Sequence, residues 1–330
     1  MLSVHLSPPA SHSDLCRVEL RDEPLPRVPE GFARIRLLLG GICSTDLELQ
    51  RGYYGFSGTP GHEFVGEVTA VSADADRHFI GKRVVGEINL ACGRCGWCQR
   101  GLGRHCPTRT VLGIVKHPGA FREFLTLPVR NLHAVPQAVT TEQAVFVEPL
   151  AAACEILDQV KIPRGESVAI LGDGKLGLLI AQVLLAHGAR VHLFGRHRGK
   201  MKIAERAGAA VERVPRKLPS KAYRWVVDAT GSATGLRAAV AMCEPRGTVI
   251  LKSTVHGLVE LDTAPVIVDE IRLVGSRCGR FEPALRLLRA SRVRVDDLIS
   301  EEFPLDQAPA AFAAAATRGT LKVILRQPLS

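Results

Sequence analysis

The feature that most constrains this fold is a glycine-rich turn between a strand-like run and a helix-like run. Gly172, Gly174 and Gly177 form G-x-G-x-x-G where SVAIL gives way to KLGLLIAQVLLAHG. Glycines at this spacing permit a tight turn and let the backbone approach a pyrophosphate at the N-terminus of the helix. The pattern therefore predicts a dinucleotide-binding unit. Its candidate cofactor-binding residues are Gly172, Gly174, Lys175, Leu176, Gly177 and, at the end of WVVDAT, Thr230.

Strand-like and helix-like runs alternate around this turn. The strand-like runs are SVAILG, ARVHLFG, WVVDAT and GTVILKS, and helix-like runs such as GKMKIAERAGA separate them. This alternation predicts a parallel sheet and an α/β fold. Residues 31–135 instead contain short β-like runs interrupted by glycine and proline, which predict a β-rich domain. At 330 residues the chain exceeds what one hydrophobic core usually serves, so two domains are expected.

The end of the second strand-like run indicates which dinucleotide binds. NAD-binding versions of the motif carry an acidic residue about 20 positions on, which accepts hydrogen bonds from the ribose. Here VHLF is followed by Gly195, Arg196, His197 and Arg198. Glycine leaves room and arginine offers bidentate donors to a 2′-phosphate, so the sequence favours NADP, with NAD as the alternative. The simpler alternative is that Arg196 and Arg198 are only solvated surface charges and bind no phosphate.

Four cysteines form a compact metal-binding pattern. Cys92, Cys95, Cys98 and Cys106 are spaced C-x2-C-x2-C-x7-C, with glycines between them. Four thiolates close in sequence suit a closed tetrahedral zinc site with a structural role. An iron–sulfur cluster is the main alternative, but the spacing matches neither ferredoxin pattern.

A second set of potential ligands is dispersed over three segments, GICSTDLE, GHE and EPLAAAC. Its members are Cys43, Thr45, Asp46, Glu48, His62, Glu63 and Glu148. Mixed sulfur, nitrogen and oxygen donors suit a catalytic zinc that keeps an exchangeable position. Each residue alone has a simpler explanation, because Cys43 suits a core position, His62 a turn and Glu148 a helix N-terminus.

Taken in order, these segments resemble the zinc-containing medium-chain alcohol and polyol dehydrogenases. The shared segments are G-I-C-x-T-D, G-H-E, the four-cysteine loop, E-P-L and G-x-G-x-x-G, and E-P-L is typical of the branch that resembles sorbitol and glucose dehydrogenases. The resemblance implies a GroES-like, β-rich catalytic domain over residues 1–150 and 280–330, with the structural zinc loop at 92–106. It implies a Rossmann domain over residues 151–279.

The resemblance also assigns roles to single residues. Cys43 and His62 match the ligands of the catalytic zinc, and Glu148 falls in the region of the third ligand, where Glu63 is the alternative or alternates with it. The remaining matches are Asp46 as the carboxylate that orients the zinc-bound histidine, Thr45 as the hydroxyl that receives the substrate proton, and Lys322 as a basic residue near the cofactor pyrophosphate. Glu48 stands where many relatives carry a relay histidine. A proton relay, a contact to a substrate hydroxyl and a solvated loop position all stay open for it.

The implied activity is reversible hydride transfer between an alcohol, polyol or sugar hydroxyl and a nicotinamide cofactor, with two zinc ions per chain. Two other classes of function stay open: a catalytically inactive NAD(P)-binding relative and a zinc-loop protein that binds nucleic acid. The presence of Cys43, Thr45, His62 and Glu148 disfavours the first. The second is disfavoured because no recognition helix follows the cysteines and only three tyrosines and two tryptophans are available for stacking.

The positive charge of the chain is concentrated in one segment. The chain has a formal net charge of +10, and Arg190 to Arg224 contain eleven basic and two acidic residues, so this segment carries nearly all of the surplus. It begins where the cofactor ribose is expected, which favours a phosphate-bearing cofactor over nucleic acid or a membrane. The N-terminus lacks a signal-peptide pattern and no apolar run reaches about 18 residues, so a cytoplasmic protein is expected. The family resemblance implies a homodimer or homotetramer.

Overall fold

The computed structural model describes residues 1–8, 15–254 and 258–328. The chain forms two compact units: Met1–Glu148 with Leu298–Ser330, and Pro149–Asp297. Residues 280–297, expected from the sequence in the first unit, group with the second. The contacts of this segment explain the grouping: Arg280 Nη2 lies 3.1 Å from Asp158 Oδ2, and the Arg294 N–H donates to Gln182 Oε1 at 2.8 Å.

The strands of the described residues, in chain order, are β1 (Leu2–Ser7), β2 (Arg17–Asp22), β3 (Phe32–Ile42), β4 (Glu63–Val71), β5 (Arg83–Gly86), β6 (Asn89–Leu90), β7 (Thr110–Leu112), β8 (Lys116–His117), β9 (Phe124–Pro128), β10 (Leu132–Ala134), β11 (Ser167–Leu171), β12 (Arg190–Gly195), β13 (Ala210–Arg213), β14 (Tyr223–Asp228), β15 (Cys243–Leu251), β16 (Arg272–Gly275), β17 (Ile299–Pro304) and β18 (Lys322–Arg326).

The α-helices of the same residues are α1 (Ser44–Gln50), α2 (Gly96–Gln99), α3 (Thr141–Ala144), α4 (Val147–Gln159), α5 (Lys175–His187), α6 (Arg198–Arg206), α7 (Ala233–Met242), α8 (Ala264–Val268), α9 (Phe281–Arg289) and α10 (Ala308–Ala316). Short 3-10 helices cover Tyr53–Gly55, Asp74–Phe79, Gly103–His105, Val129–Asn131, Asp296–Leu298 and Leu305–Gln307. Within the described part of the chain, no helix is both long enough and apolar enough to cross a bilayer.

The first unit is built on a mixed sheet that the C-terminal strand completes, in which only the pair of β17 and β18 is parallel. Strands run in the order β10-β5-β4-β3-β18-β17, and β9 also pairs with β3. In β3, FARIRLLL alternates half-buried and fully buried side chains, so one face of the strand lines the core. Antiparallel pairing of β18 with β3 places Val323 opposite Ile42, which brings the end of the chain next to its beginning.

The second unit contains a six-stranded sheet in which every pair is parallel. Its order is β13-β12-β11-β14-β15-β16, with two runs of strands extending outward from β11. The central strand β11 is almost entirely apolar and buried, as expected for a parallel sheet covered on both faces. The strand order is that of a Rossmann fold, so the structure confirms the predicted parallel α/β fold.

The glycine-rich turn has the geometry that its sequence predicts. Gly172 has φ of 113°, a left-handed conformation that favours glycine, and Gly174 caps the N-terminus of α5. A Cβ atom on Gly177 would lie 2.1 Å from the carbonyl oxygen of Gly172. Only glycine therefore lets α5 begin this close to the turn.

This crowding predicts that Gly177→Ala is destabilising, because the added methyl group forces the turn away from α5. We expect a cost of about 1–3 kcal/mol and a lower melting temperature. Gly199→Ala is the matched control, since Gly199 also lies in the first turns of a helix but a Cβ there meets no atom within 4 Å. The control variant should be unchanged or more stable by up to about 1 kcal/mol. Equal melting temperatures for the two variants would contradict this account.

Candidate active site

Three of the predicted ligand residues converge in the first unit. Cys43 caps the N-terminus of α1 directly after β3, while His62 directly precedes β4 and Glu63 begins that strand. Antiparallel pairing of β3 with β4 places Gly41 opposite Glu63. One potential ligand atom from each of Cys43, His62 and Glu63 lies within 4.8 Å of the others. The sheet register, rather than closeness in sequence, creates this group.

Asp46 holds the two segments of the group together. Its buried carboxylate accepts hydrogen bonds from the Cys43 N–H at 2.8 Å and from the Gly61 N–H at 3.1 Å. Its Oδ1 also lies 3.4 Å from His62 Nδ1, which leaves Nε2 as the ligand atom on the other side of the ring. Burial lowers the pKa of His62, but Asp46 and Cys43 more than offset this and raise it well above its ordinary value. The surroundings therefore favour a positive charge here.

Glu63 and Lys322 form a buried ion pair beside this group. Lys322 on β18 has no exposed surface, and its ammonium contacts Glu63 Oε2 directly. Burial lowers the pKa of Lys322 to about 8. The other Glu63 oxygen, Oε1, is buried and accepts no hydrogen bond from any described residue. The structure thus places Lys322 against a candidate ligand, while its predicted role near the cofactor pyrophosphate stays a prediction.

This donor set fits a zinc ion. It combines a thiol, an imidazole and a carboxylate, and the described residues leave one buried oxygen of that carboxylate without a donor; such mixed donors are typical of catalytic zinc. Glu148 is not part of the group of three, and its half-buried side chain lies on α4 at the end of the first unit. The geometry favours Glu63 over Glu148, and the identity of the third ligand stays a prediction.

The two other candidate catalytic residues lie on α1. Thr45 is half-buried and follows Cys43 by two positions. Glu48 lies almost one turn further along α1, and its carboxylate contacts the guanidinium of Arg51. A carboxylate with this cation beside it can still accept a hydrogen bond through its remaining lone pairs. The structure therefore leaves all three interpretations of Glu48 open.

The four remaining candidate ligands form a second group, in the loop that contains α2. Their Sγ atoms are 3.5 Å apart for Cys95 and Cys98, 3.8 Å for Cys95 and Cys106, and 3.9 Å for Cys92 and Cys98. A disulfide would require about 2.05 Å. Four thiolates at about 2.3 Å from one tetrahedral ion are about 3.8 Å apart, so the spacing fits a structural zinc. Hydrogen bonds led by that from the Cys92 N–H lower the pKa of Cys106 to about 6, which favours its thiolate, whereas burial raises the pKa of Cys98 to about 11.

In the second unit, the end of β12 has no space for an acidic side chain. A Cβ atom on Gly195 would lie 2.7 Å from both Asp173 Cβ and Met201 Sδ. Asp173 itself, inside the glycine motif, is buried, and its Oδ2 accepts the N–H groups of Arg196 at 2.8 Å and His197 at 2.5 Å. The sequence alone did not predict this role of Asp173, because the motif G-x-G-x-x-G does not specify which residue follows its first glycine.

The other residues predicted to bind the cofactor in this unit follow the ends of the three strands β11, β12 and β14. The side chains of Arg196 and Arg198 are exposed, and Lys175 and Leu176 are half-buried at the start of α5. Thr230 lies two residues after Asp228, the last residue of β14, and the Thr230 hydroxyl donates to Asp228 Oδ1 at 2.7 Å. All of these residues belong to the second unit. Their cofactor contacts stay predictions.

Comparison with known proteins gives the family. A model described as the alcohol dehydrogenase GroES-like domain matches residues 29–137, and one described as zinc-binding dehydrogenase matches residues 176–290. D-altritol 5-dehydrogenase of Agrobacterium fabrum is 30% identical over 308 residues, which cover 88% of this chain and 90% of that protein. The chain belongs to the zinc-binding medium-chain alcohol and polyol dehydrogenases.

Two further proteins are similar to this dehydrogenase over nearly its whole length. D-arabinitol dehydrogenase 1 of Uromyces fabae is 26% identical over 327 residues, covering 92% of each chain. A crystal structure described as a zinc-binding dehydrogenase from Sinorhizobium meliloti 1021 bound to NADP superposes with a TM-score of 0.85 at 27% identity, covering 98% of this chain and 99% of that one. The predicted family and the combination of a GroES-like with a Rossmann fold are confirmed.

Proposed function

We propose that this dehydrogenase catalyses the reversible, zinc-dependent oxidation of a hydroxyl group on an alcohol, polyol or sugar, with NADP preferred as hydride acceptor. The observation that carries the proposal is the group of Cys43, His62 and Glu63, oriented by the buried Asp46. The relatives named for D-altritol and D-arabinitol support a polyol as the substrate class. We further propose that the units Met1–Glu148 with Leu298–Ser330 and Pro149–Asp297 are the catalytic and cofactor domains.

The roles of the residues follow from their chemistry. Cys43, His62 and one of Glu63 and Glu148 would hold a zinc ion, which when bound supplies a Lewis acid for the substrate oxygen. Asp46 fixes the imidazole of His62 in the orientation that presents Nε2. The hydroxyl of Thr45 accepts the substrate proton, and Glu48, further along α1, is the candidate to pass it on. Cys92, Cys95, Cys98 and Cys106 would hold a second, structural zinc ion.

The preference for NADP rests on the turn after β12. No acidic side chain fits at Gly195, and the Asp173 carboxylate is already occupied by two backbone N–H groups. Neither residue is therefore suited to bind the ribose hydroxyls, as the acid of NAD-binding versions does. The exposed guanidinium groups of Arg196 and Arg198 offer bidentate donors to a 2′-phosphate. NADP is also bound in the crystal structure of the similar protein from Sinorhizobium meliloti.

A homodimer or homotetramer is the proposed assembly. The edge strand β16 of the Rossmann sheet is bordered by exposed apolar side chains, with Ile267 72% and Val268 78% exposed and Leu273 also accessible. An unpaired strand edge with apolar neighbours is suited to pairing with a second copy of the chain.

Removal of a ligand from the group of three tests the catalytic zinc. We expect His62→Ala to lower kcat/KM for alcohol oxidation by at least about 10³-fold, because the loss of Lewis-acid catalysis costs several kcal/mol. Cofactor binding, measured by fluorescence titration, should stay within a few-fold of that of the wild type. Cys278→Ser, a half-buried cysteine outside both sulfur-containing groups, serves as control and should keep its activity. Substantial turnover by metal-free protein would refute the zinc role.

Loss of one thiol in the four-cysteine loop tests the structural site. Cys98→Ser should lower the zinc content by about one ion per chain and lower the melting temperature, because binding to a structural site contributes folding free energy. Metal analysis and calorimetry of the variant beside Cys278→Ser measure both quantities. An unchanged melting temperature after loss of that ion would count against a structural role.

Removal of the arginines tests the cofactor preference. Arg196→Ala with Arg198→Ala should lower kcat/KM for NADP by about 10–100-fold, as expected for lost hydrogen bonds to a charged group, while kcat/KM for NAD changes by about 2-fold or less. Lys217→Ala, an exposed cation of the same basic segment, is the matched control. Equal or better use of NAD by the wild type would exclude the assignment.

A further inference from the structure

A lysine is buried at the carboxyl edge of the parallel sheet in the second unit. Lys252 directly follows β15, and its side chain is 7% exposed. Its ammonium donates hydrogen bonds to Ser276 Oγ at 3.0 Å and to the carbonyl oxygen of Arg277 at 2.7 Å, and Ser276 is itself buried. An ammonium group is costly to bury, and lysine is rarely found inside a protein. The presence of Lys252 here therefore needs an explanation beyond packing.

The register of the sheet places Lys252 at the level of the glycine-rich turn. The last residues of four neighbouring strands are opposite one another: Leu171 of β11, Asp228 of β14, Leu251 of β15 and Gly275 of β16. The hydrogen-bond ladder continues one residue beyond this row, because the N–H groups of Ala229, Lys252 and Ser276 donate to the neighbouring strands at 2.9, 2.9 and 3.0 Å. Gly172, the first glycine of the turn, follows β11 in the same way. The backbone of Lys252 thus lies two strands, or about 10 Å, from this glycine.

This position belongs to the second half of the Rossmann sheet. Such a sheet consists of two mononucleotide-binding halves, and a dinucleotide binds outside the carboxyl ends of the strands, where the two halves meet. Here the halves are β11 to β13 and β14 to β16, and they meet between β11 and β14. The first half contains the turn after β12 that is proposed to bind the phosphorylated ribose. The second half, with Lys252 at its carboxyl edge, is therefore left for the nicotinamide nucleotide.

The segment that follows β16 is held at both of its ends. At one end, the ammonium of Lys252 holds Ser276 and Arg277 beside the end of β15. At the other end, a Cβ atom on Gly279 would lie 1.9 Å from the carbonyl oxygen of Ala151, so the backbone packs directly against α4. A segment fixed in this way presents its backbone groups in one conformation, which reduces the entropy lost when a ligand binds.

We propose that Lys252 is a positioning residue for the cofactor: its ammonium fixes the backbone of Ser276 and Arg277 at the carboxyl edge of β16, so that this segment can bind the nicotinamide nucleotide. The inference rests on the proposed function for the binding of a nicotinamide cofactor. It adds a residue outside the glycine-rich turn and outside the turn after β12, which the sequence shows only as part of the strand-like run GTVILKS.

The test compares the whole cofactor with a fragment that lacks the nicotinamide nucleoside. Titration calorimetry measures the Kd of NADPH and that of 2′-phospho-ADP-ribose. NADH and ADP-ribose are measured in parallel, so that the result does not depend on the 2′-phosphate. Lys252→Met removes the ammonium and keeps a long, unbranched side chain. Ser276→Ala is a milder variant that removes one acceptor, and it decides the test if Lys252→Met does not fold.

Lys221→Met is the matched control. The ammonium of Lys221 also joins two segments of the second unit, since it lies 2.8 Å from Asp269 Oδ1 and 2.7 Å from Asp269 Oδ2. Lys221 precedes β14, however, so it lies at the opposite, amino edge of the sheet. Loss of either ammonium should lower the melting temperature, but only the loss at Lys252 should weaken binding of the cofactor relative to the fragment.

We expect Lys252→Met to raise the Kd of NADPH by at least about 10-fold, as for lost hydrogen bonds to a charged group, while the Kd of 2′-phospho-ADP-ribose changes by about 2-fold or less. Ser276→Ala should raise the ratio of the two constants by a few-fold, and Lys221→Met should leave it unchanged. Fluorescence of NADPH bound to Lys252→Met should shift toward that of the free cofactor, because the nicotinamide is held less firmly. A constant ratio in Lys252→Met, or in Ser276→Ala if the former does not fold, overturns the inference.

These outcomes separate the inference from the proposed function. If the ratio changes as expected in a protein that oxidises no alcohol, only the proposed function fails. If the wild type oxidises an alcohol and the ratio stays constant in the variants, only the inference fails. A wild type that binds the fragment as tightly as the whole cofactor also overturns the inference, because the second half of the sheet then adds nothing to binding. Absence of binding by either cofactor overturns both.

Discussion

The burial of several charged groups around one point constrains the catalytic unit more than any other feature. Asp46, Glu63 and Lys322 have almost no exposed surface, and each would be costly to bury alone. They are tolerated because two backbone N–H groups satisfy Asp46 and because Lys322 pairs with Glu63. A divalent cation between Cys43, His62 and Glu63 would complete this balance, since it supplies the positive charge that the carboxylates and the thiol favour. The register of β3, β4 and β18 is therefore a condition for the chemistry as well as for the fold.

In the second unit the main constraint comes from close approach of the backbone rather than from buried charges. At Gly172 and Gly177 the absence of side chains lets strand, turn and helix approach closely, which leaves N–H groups at the start of α5 for a phosphate. At Gly195 the neighbouring Asp173 and Met201 exclude a side chain. The carboxylate of Asp173 accepts a hydrogen bond from the backbone N–H of Arg196, the residue after this glycine. Part of the overall charge of +10 lies at this turn, because Arg196 and Arg198 of the basic segment follow Gly195 directly. The proposed preference for NADP is a consequence of packing as much as of the two arginines.

Local patterns in the sequence predicted the parallel sheet, the glycine-rich turn and the family. These features depend on residues that are close in the chain, where spacing and side-chain chemistry are directly visible. The sequence could not predict the contact between Glu63 and Lys322, which are 259 residues apart, because it depends on how β18 returns to β3. The approach of Glu23 to Arg122 and the hydrogen bonds of Asp173 depend equally on tertiary structure. For the same reason the boundary expected at residue 280 differs from that at Leu298, since α9 packs within the second unit.

The central claim is that Cys43, His62 and a glutamate hold a zinc ion in this dehydrogenase. Anomalous diffraction at the zinc absorption edge, from crystals of the purified protein, tests it most directly. The account predicts two peaks. One should lie about 2.3 Å from Cys43 Sγ and about 2.0–2.2 Å from His62 Nε2 and a carboxylate oxygen, and the other should lie among the four sulfur atoms of the loop. A peak only at the four cysteines, with none beside Cys43 and His62, would contradict the account.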